Sequence, residues 1–254
     1  MTCSAAARGA AVLIAAFAWF RPAPAQTLVV LSSNGVRAGL EALAPDCEQR
    51  VGRKMLVEYG TSSSLKERIA GGANVDVALI TTEVVADLAK RGYLVPESVT
   101  PIGHAGIGVG IREGGRRYPI GTVDEIKQTL LAARSITYAQ DGASRVHLEQ
   151  MFAELGIAAE MKAKTLLEQG STRAAAKVVA GEAEILLTLV SEILPVSGLE
   201  LLGPLPGHFQ SYVSFDAAVG TKSQDPDDAR GFASCLTLPS PPTTRTWTAK
   251  GIEQ

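Results

Sequence analysis

The chain has 254 residues, 46% of them hydrophobic, 20% charged and only 5% aromatic, with a formal net charge of −2. That composition builds packed cores and excludes a disordered or fibrous chain. Acids and bases nearly balance and no run of Lys or Arg stands out, which excludes a nucleic-acid surface and a polybasic membrane patch. Any bound anion has to be held by local donors.

Arg8 precedes an apolar stretch, Ala10 to Phe20, and Ala23-Pro24-Ala25 supplies the small residues of a cleavage site. Residues 1–25 therefore read as an export signal, with a mature chain starting near Gln26. The stretch is short of the ~20 apolar residues that span a bilayer, so the chain is not expected to be membrane-inserted. Cys3 lies before it, not after it, and is no lipid anchor. Cys47 and Cys235 remain. A disulfide could persist between them outside the cytoplasm, but both fall in helix-like segments among apolar neighbours, and two separate buried thiols are the simpler reading. With His104, His147 and His208 they show no ligand spacing, so no metal or cofactor is expected.

The mature chain opens with Thr27 to Leu31, a continuous apolar run of the buried parallel-strand kind. The turn Ser32-Ser33-Asn34-Gly35 leads into a helix over Val36–Gln49. The pattern repeats: a strand at Met55–Tyr59, the turn Gly60 to Ser64, a helix from Leu65 to Ala70, then a strand at Val75–Ile80 and a helix over Glu83–Arg91. Gly106-Ile-Gly-Val-Gly110 lies in an apolar stretch, Ile102–Ile111, and reads as a close-packed strand, not a dinucleotide turn. A helix over Val123–Ala133, a strand at Ser135–Ala139, the turn Gln140 to Ser144 and a helix over Arg145–Leu155 follow, the last capped by Gly156. Arg173–Ala180 reads as helix and Ile185–Val190 as buried strand. Pro195, Pro204 and Pro206 mark Leu194–Gly207 as a connector. A strand at Tyr212–Val219 and helices over Pro226–Leu236 and Pro242–Ala249 complete the chain. Strands alternating with helices predict an α/β fold with mainly parallel sheets.

Candidate chemistry lies in the strand-to-helix turns: Ser33, Asn34 and Gly35; Thr61, Ser62 and Ser63; Ser144 with Arg145; and Ser171 with Thr172 after Gly170. A helix start leaves backbone N–H groups unpartnered and carries about half a positive charge. Hydroxyls and glycine beside it make an anion site that needs no Lys or Arg. Each such turn taken alone is better explained as a helix cap, and Ser62-Ser63-Ser64 is the exception, being richer than a cap requires. Arg145, poorly placed against the dipole, either points to solvent or reaches an anionic ligand. Glu182, Glu184 and Glu192 flank a buried strand and read as its solvated ends. No nucleophile elbow, phosphate loop or zinc-protease motif is present.

The stretches Leu28–Leu40, Val57-Glu-Tyr-Gly-Thr-Ser-Ser-Ser-Leu65 and Ile69-Ala-Gly-Gly-Ala-Asn-Val-Asp-Val77 resemble the molybdate-binding branch of type II periplasmic binding proteins. So do Gly181-Glu-Ala-Glu184, Ser191-Glu-Ile-Leu-Pro195, Gly203-Pro-Leu-Pro206 and Lys250-Gly-Ile-Glu253. The resemblance implies two lobes, 27–105 plus 210–254 and 106–209, each a mainly parallel sheet flanked by helices, with two hinge crossings and the ligand between them. Ser62 matches the family's oxyanion-binding hydroxyl. Gly35 stands where the family has serine, leaving Ser33 and Asn34 nearby. Leu189 falls near the family's binding tyrosine, and Ser171 falls where a backbone amide serves. The chain is also similar to a sub-branch that handles organic acids, including periplasmic aconitate isomerases. Glu182, His147 and Tyr138 are then candidate bases, none compelling.

The expected function is that of a monomeric periplasmic receptor of an ABC importer, closing on a small oxyanion or carboxylate. Aconitate isomerisation on the same fold is the alternative, and a binding module serving a membrane sensor ranks below it.

Overall fold

The computed structural model describes residues 27–254, so the export signal expected over 1–25 lies outside the described residues. Three parallel strands, β1 (Leu28–Ser33), β2 (Met55–Gly60) and β3 (Val77–Thr81), are followed in turn by α1 (Arg37–Val51), α2 (Ser62–Ala70) and α3 (Thr82–Lys90). Next comes the 13-residue strand β4 (Thr100–Arg112). A second parallel group contains β5 (Ile136–Ala139), β6 (Thr165–Glu168) and β7 (Ile185–Leu189). Its helices are α4 (Val123–Ala132), α5 (Arg145–Glu154), α6 (Ala158–Lys164), α7 (Ser171–Val179) and the short α8 (Val190–Ile193). Strands β8 (Leu199–Pro204) and β9 (Tyr212–Val219) and helices α9 (Pro226–Thr237) and α10 (Pro241–Ala249) complete the chain.

The strands bond in the order β2-β1-β3-β9-β4-β7-β5-β6, with β8 also on β4. β4 changes partners part-way along. Thr100–Gly106 pairs antiparallel with β9, whereas Ile107–Gly110 pairs with β7 and Gly108–Arg112 with β8. The antiparallel strands β9 and β4 thus join the two parallel groups, and the expected α/β class is found as a mixed sheet flanked by helices.

One hydrophobic core runs from Val30 and Leu40 through Ile107 and Val109 to Ile136, Leu148 and Ile185. Smaller clusters lie under α2 and α3, around Leu65, Ile69, Val85 and Leu88, and under α7, around Ala174, Val178 and Ile193. The helix starts follow local chemistry. Thr122 and Glu125 form a reciprocal capping box on α4, and Thr61 accepts the Ser64 N–H at the head of α2.

Three expectations are corrected. Leu194–Gly207 is more than a connector, because its middle forms β8, a half-buried strand on β4 whose register shifts near Gly110. Its flanking prolines sit at the strand's ends, where no ladder donor is needed. β6 and α6 were not anticipated. β6 is a short edge strand with Leu166 and Leu167 exposed, so it lacks the buried alternation that marks a strand in sequence. Finally, Cys47 and Cys235 are not separate thiols but a disulfide, with Cα atoms 5.7 Å apart, joining α1 to α9 across 188 residues of sequence.

Candidate functional site

The carboxyl ends of β1, β2, β5 and β7 converge, and the turns that follow line a small buried cavity of about 20 Å³. Ser33, Thr61, Ser62, Ser144, Ser171 and Thr188 supply hydroxyls to it; Gly142, Ala143, Leu189 and Phe215 close it. Helices α2, α5 and α7 begin here, so unpartnered amides and the positive ends of three dipoles face one spot. No Lys or Arg lines this cavity.

The hydroxyls differ in what they have left to give. Ser62 Oγ accepts the Thr81 N–H at 3.0 Å, which directs its own proton elsewhere, and the residue lines the cavity. Ser33 Oγ accepts the Gly35 N–H at 3.3 Å. Ser144, buried at the head of α5, lines the cavity and makes no capping bond to its helix. Thr61 Oγ1 donates to Asp141 Oδ2 at 2.9 Å, and Asp141 Oδ1 accepts the Gly170 N–H at 2.9 Å. Asp141 therefore ties the turn after β2 to the turns after β5 and β6.

Not every expected residue is brought together. Gly35 is buried behind the cavity, and a Cβ there would lie 2.4 Å from the Phe215 ring and 3.1 Å from Leu189 Cδ1. A serine cannot fit, which explains the departure from the family pattern. Ser63 is exposed and lines neither this cavity nor its neighbour. Arg145 also stays outside: it pairs with Glu149 at 2.8 Å and donates to the Gln140 carbonyl. Arg145 lines neither cavity.

Asn34 and Thr172 line a second, open cavity of about 570 Å³ between α1 and helices α7 and α8. Its walls are mostly apolar, with Ala175, Ala176, Val179 and Val196, and Arg37 and Glu41 stand at the α1 side. Ser171 and Glu192 are common to both cavities.

Glu192 is the residue the sequence concealed. Its place beside a buried strand predicts a solvated strand end; it is half-buried instead, with its carboxyl enclosed between the two cavities. Oε1 accepts from Ser171 Oγ at 2.7 Å and Oε2 from Thr188 Oγ1. Desolvation pushes its pKa above the ordinary glutamate value, although Thr188, Ser171 and the Leu189 N–H pull the other way. The flanking acids behave as surface groups. Glu182 pairs with Lys177 at 2.6 Å. Glu184 loses water but receives the Arg134 N–H, its guanidinium and the Tyr118 hydroxyl, which together hold its pKa below the ordinary value. Neither reaches the cavities, and nor do the other candidate bases. His147 Nε2 bonds the Phe209 carbonyl at 2.7 Å, and Tyr138 is buried against Phe152.

Residues 28–253 match the family described as bacterial extracellular solute-binding protein. The chain belongs to this family. A Pseudomonas sp. aconitate isomerase is 28% identical to it over 232 residues, which cover 89% of this chain and 88% of the relative. Among solved structures, the periplasmic molybdate-binding protein of Azotobacter vinelandii superposes with a TM-score of 0.75 at 17% identity, over 89% of this chain and 99% of that one. A sulfate-binding protein from Mycobacterium tuberculosis gives 0.66 at 14%, over 89% and 86%. At these identities the structural likeness fixes the fold, that of the type II periplasmic binding proteins. No helix among the described residues of this solute-binding protein is long and apolar enough to cross a membrane.

Proposed function

We propose that this solute-binding protein closes two lobes, residues 27–105 plus 210–254 and 106–209, on a small organic carboxylate, and serves as the periplasmic receptor of an ABC importer. The change of partners within β4 at Gly106 and Ile107 supports that division. The observation that carries the ligand class is the pairing of two cavities. A carboxylate headgroup suits the small cavity, whose hydroxyls and helix starts grip negative charge without a cation. The rest of an organic acid suits the adjoining groove, with Asn34 at its mouth; Arg37 there is paired with Glu41 at 2.8 Å and lies over the Tyr59 ring. A tetrahedral oxyanion is served less well, since Gly35 and Leu189 bring no hydroxyl.

Thermal-shift and calorimetric titration with citrate, cis-aconitate, trans-aconitate, molybdate and sulfate tests this. Carboxylates should raise the melting temperature, and stabilisation by molybdate or sulfate alone would refute the reading. Ser144→Ala should weaken carboxylate binding about tenfold, close to 1.4 kcal/mol, without lowering the melting temperature of the ligand-free protein.

A second reading, aconitate isomerisation in the same cleft, is favoured by the 28% identical isomerase and by Glu192. Chromatography of cis-aconitate incubated with catalytic amounts of protein decides it: trans-aconitate must accumulate.

A further inference from the structure

We propose that Glu192 is the acid–base group of this cleft and moves a proton across the allylic unit of an unsaturated di- or tricarboxylate. This rests on the reading that the cleft takes a small organic carboxylate. The argument is one of position. If one carboxylate of the ligand is anchored among Ser62, Ser144 and the helix starts, the carbon next to it must lie where the small cavity meets the groove. Glu192 and Ser171 are the residues that line both spaces. The Glu192 carboxyl is held there by Ser171 and Thr188, so its orientation is set before a ligand arrives. With the Leu189 N–H, these bonds occupy three of the carboxylate's four lone-pair sites and leave one for a substrate proton.

The step balances without a metal, cofactor or second substrate. Ionised Glu192 takes a proton from a methylene flanked by a carboxylate and a carbon–carbon double bond. The C–H electron pair moves into a dienolate whose charge settles on the carboxylate oxygens, where the hydroxyls and amides of α2 and α5 face it. The new Glu192 carboxyl returns the proton to the far carbon of the former double bond. The double bond has then shifted by one position and Glu192 is an anion again. A carboxyl whose affinity for protons is increased by burial is a stronger base for this purpose than an exposed one. A purely structural role is the rival, because Glu192 is the third residue of α8 and bonds the Leu189 N–H at its start.

The test follows cis-aconitate in deuterium oxide by proton NMR with the full mature protein, alongside binding by calorimetry. The protein should exchange the methylene and vinyl hydrogens for deuterium. Glu192→Gln should slow that exchange by about 100-fold or more, a typical general-base contribution, while the Kd changes by less than about fivefold, under 1 kcal/mol. Glu192→Asp, which withdraws the carboxylate by one methylene, should fall between them and covers the case in which the Gln variant does not fold. Exchange by either variant at the native rate per folded molecule would overturn the proposal and leave a helix cap. Tight binding of cis-aconitate with no exchange by the native protein would also overturn it, yet leave the carboxylate reading intact. Failure to bind any carboxylate would remove both.

Discussion

At the scale of single residues, the site depends on what each side chain has already spent. Ser62 matches the family's hydroxyl position, but its oxygen also receives the Thr81 N–H inside the protein. Ser62→Ala should therefore weaken anion binding by more than tenfold and also lower stability by roughly 1–3 kcal/mol, the cost of an orphaned buried donor. Urea denaturation and calorimetry on the same variant separate the two effects. Glu192 carries a pH signature. A carboxyl whose pKa is raised on folding adds stability below its unfolded value, ordinarily near 4.5, and loses that contribution as pH rises through the raised value. Glu192→Gln cannot ionise. Its melting temperature should gain on that of the native protein as pH rises above the ordinary glutamate value, and a pH-independent difference in scanning calorimetry would contradict the assignment. Sequence could flag Ser62 from its serine-rich turn. It could not flag Glu192, because an acid following a buried strand looks the same whether it faces water or a cleft. Only the packing of α7 and α8 distinguishes the two.

At the scale of elements, most helices and strands were legible because they bury one face in a repeating way. β1, β3 and β7 read as apolar runs, and α4 as a helical pattern near its observed bounds. β6 and β8 escaped because edge strands bury too little to leave a period. The disulfide escaped for a different reason. Two cysteines 188 positions apart reveal nothing of their separation in space, and apolar neighbours fit a buried thiol as well as a bridge. Its span makes it a strong constraint on the unfolded chain. Loop-closure entropy puts the loss on replacing Cys47 and Cys235 by serine at roughly 3–5 kcal/mol. Denaturant unfolding with and without reductant measures it, and ligand affinity should be unaffected because neither cysteine lines the cavities.

At the scale of the molecule, the proposed closure rests on contacts between the two proposed lobes. Asp141 makes one, accepting from Thr61 of one proposed lobe and Gly170 of the other. Asp141→Ala should shift the population toward the open form and weaken carboxylate binding by about tenfold. Small-angle scattering of the ligand-free protein should then report a larger radius of gyration; an unchanged radius would show that Asp141 only braces its own turn. The division into lobes is proposed from the resemblance, and the Asp141 contact left no trace in the sequence, since its partners lie 80 and 29 positions away. The bare face of β4 has a consequence of its own. A Cβ at Gly108 would come within 3.0 Å of Val190 and Leu201, and one at Gly251 within 2.9 Å of the Ser191 nitrogen. The short helix bearing Glu192 is seated between two surfaces stripped of side chains. An added methyl on either works like a shim under a lens mount, retuning the aim of the acid from a place no solute ever touches.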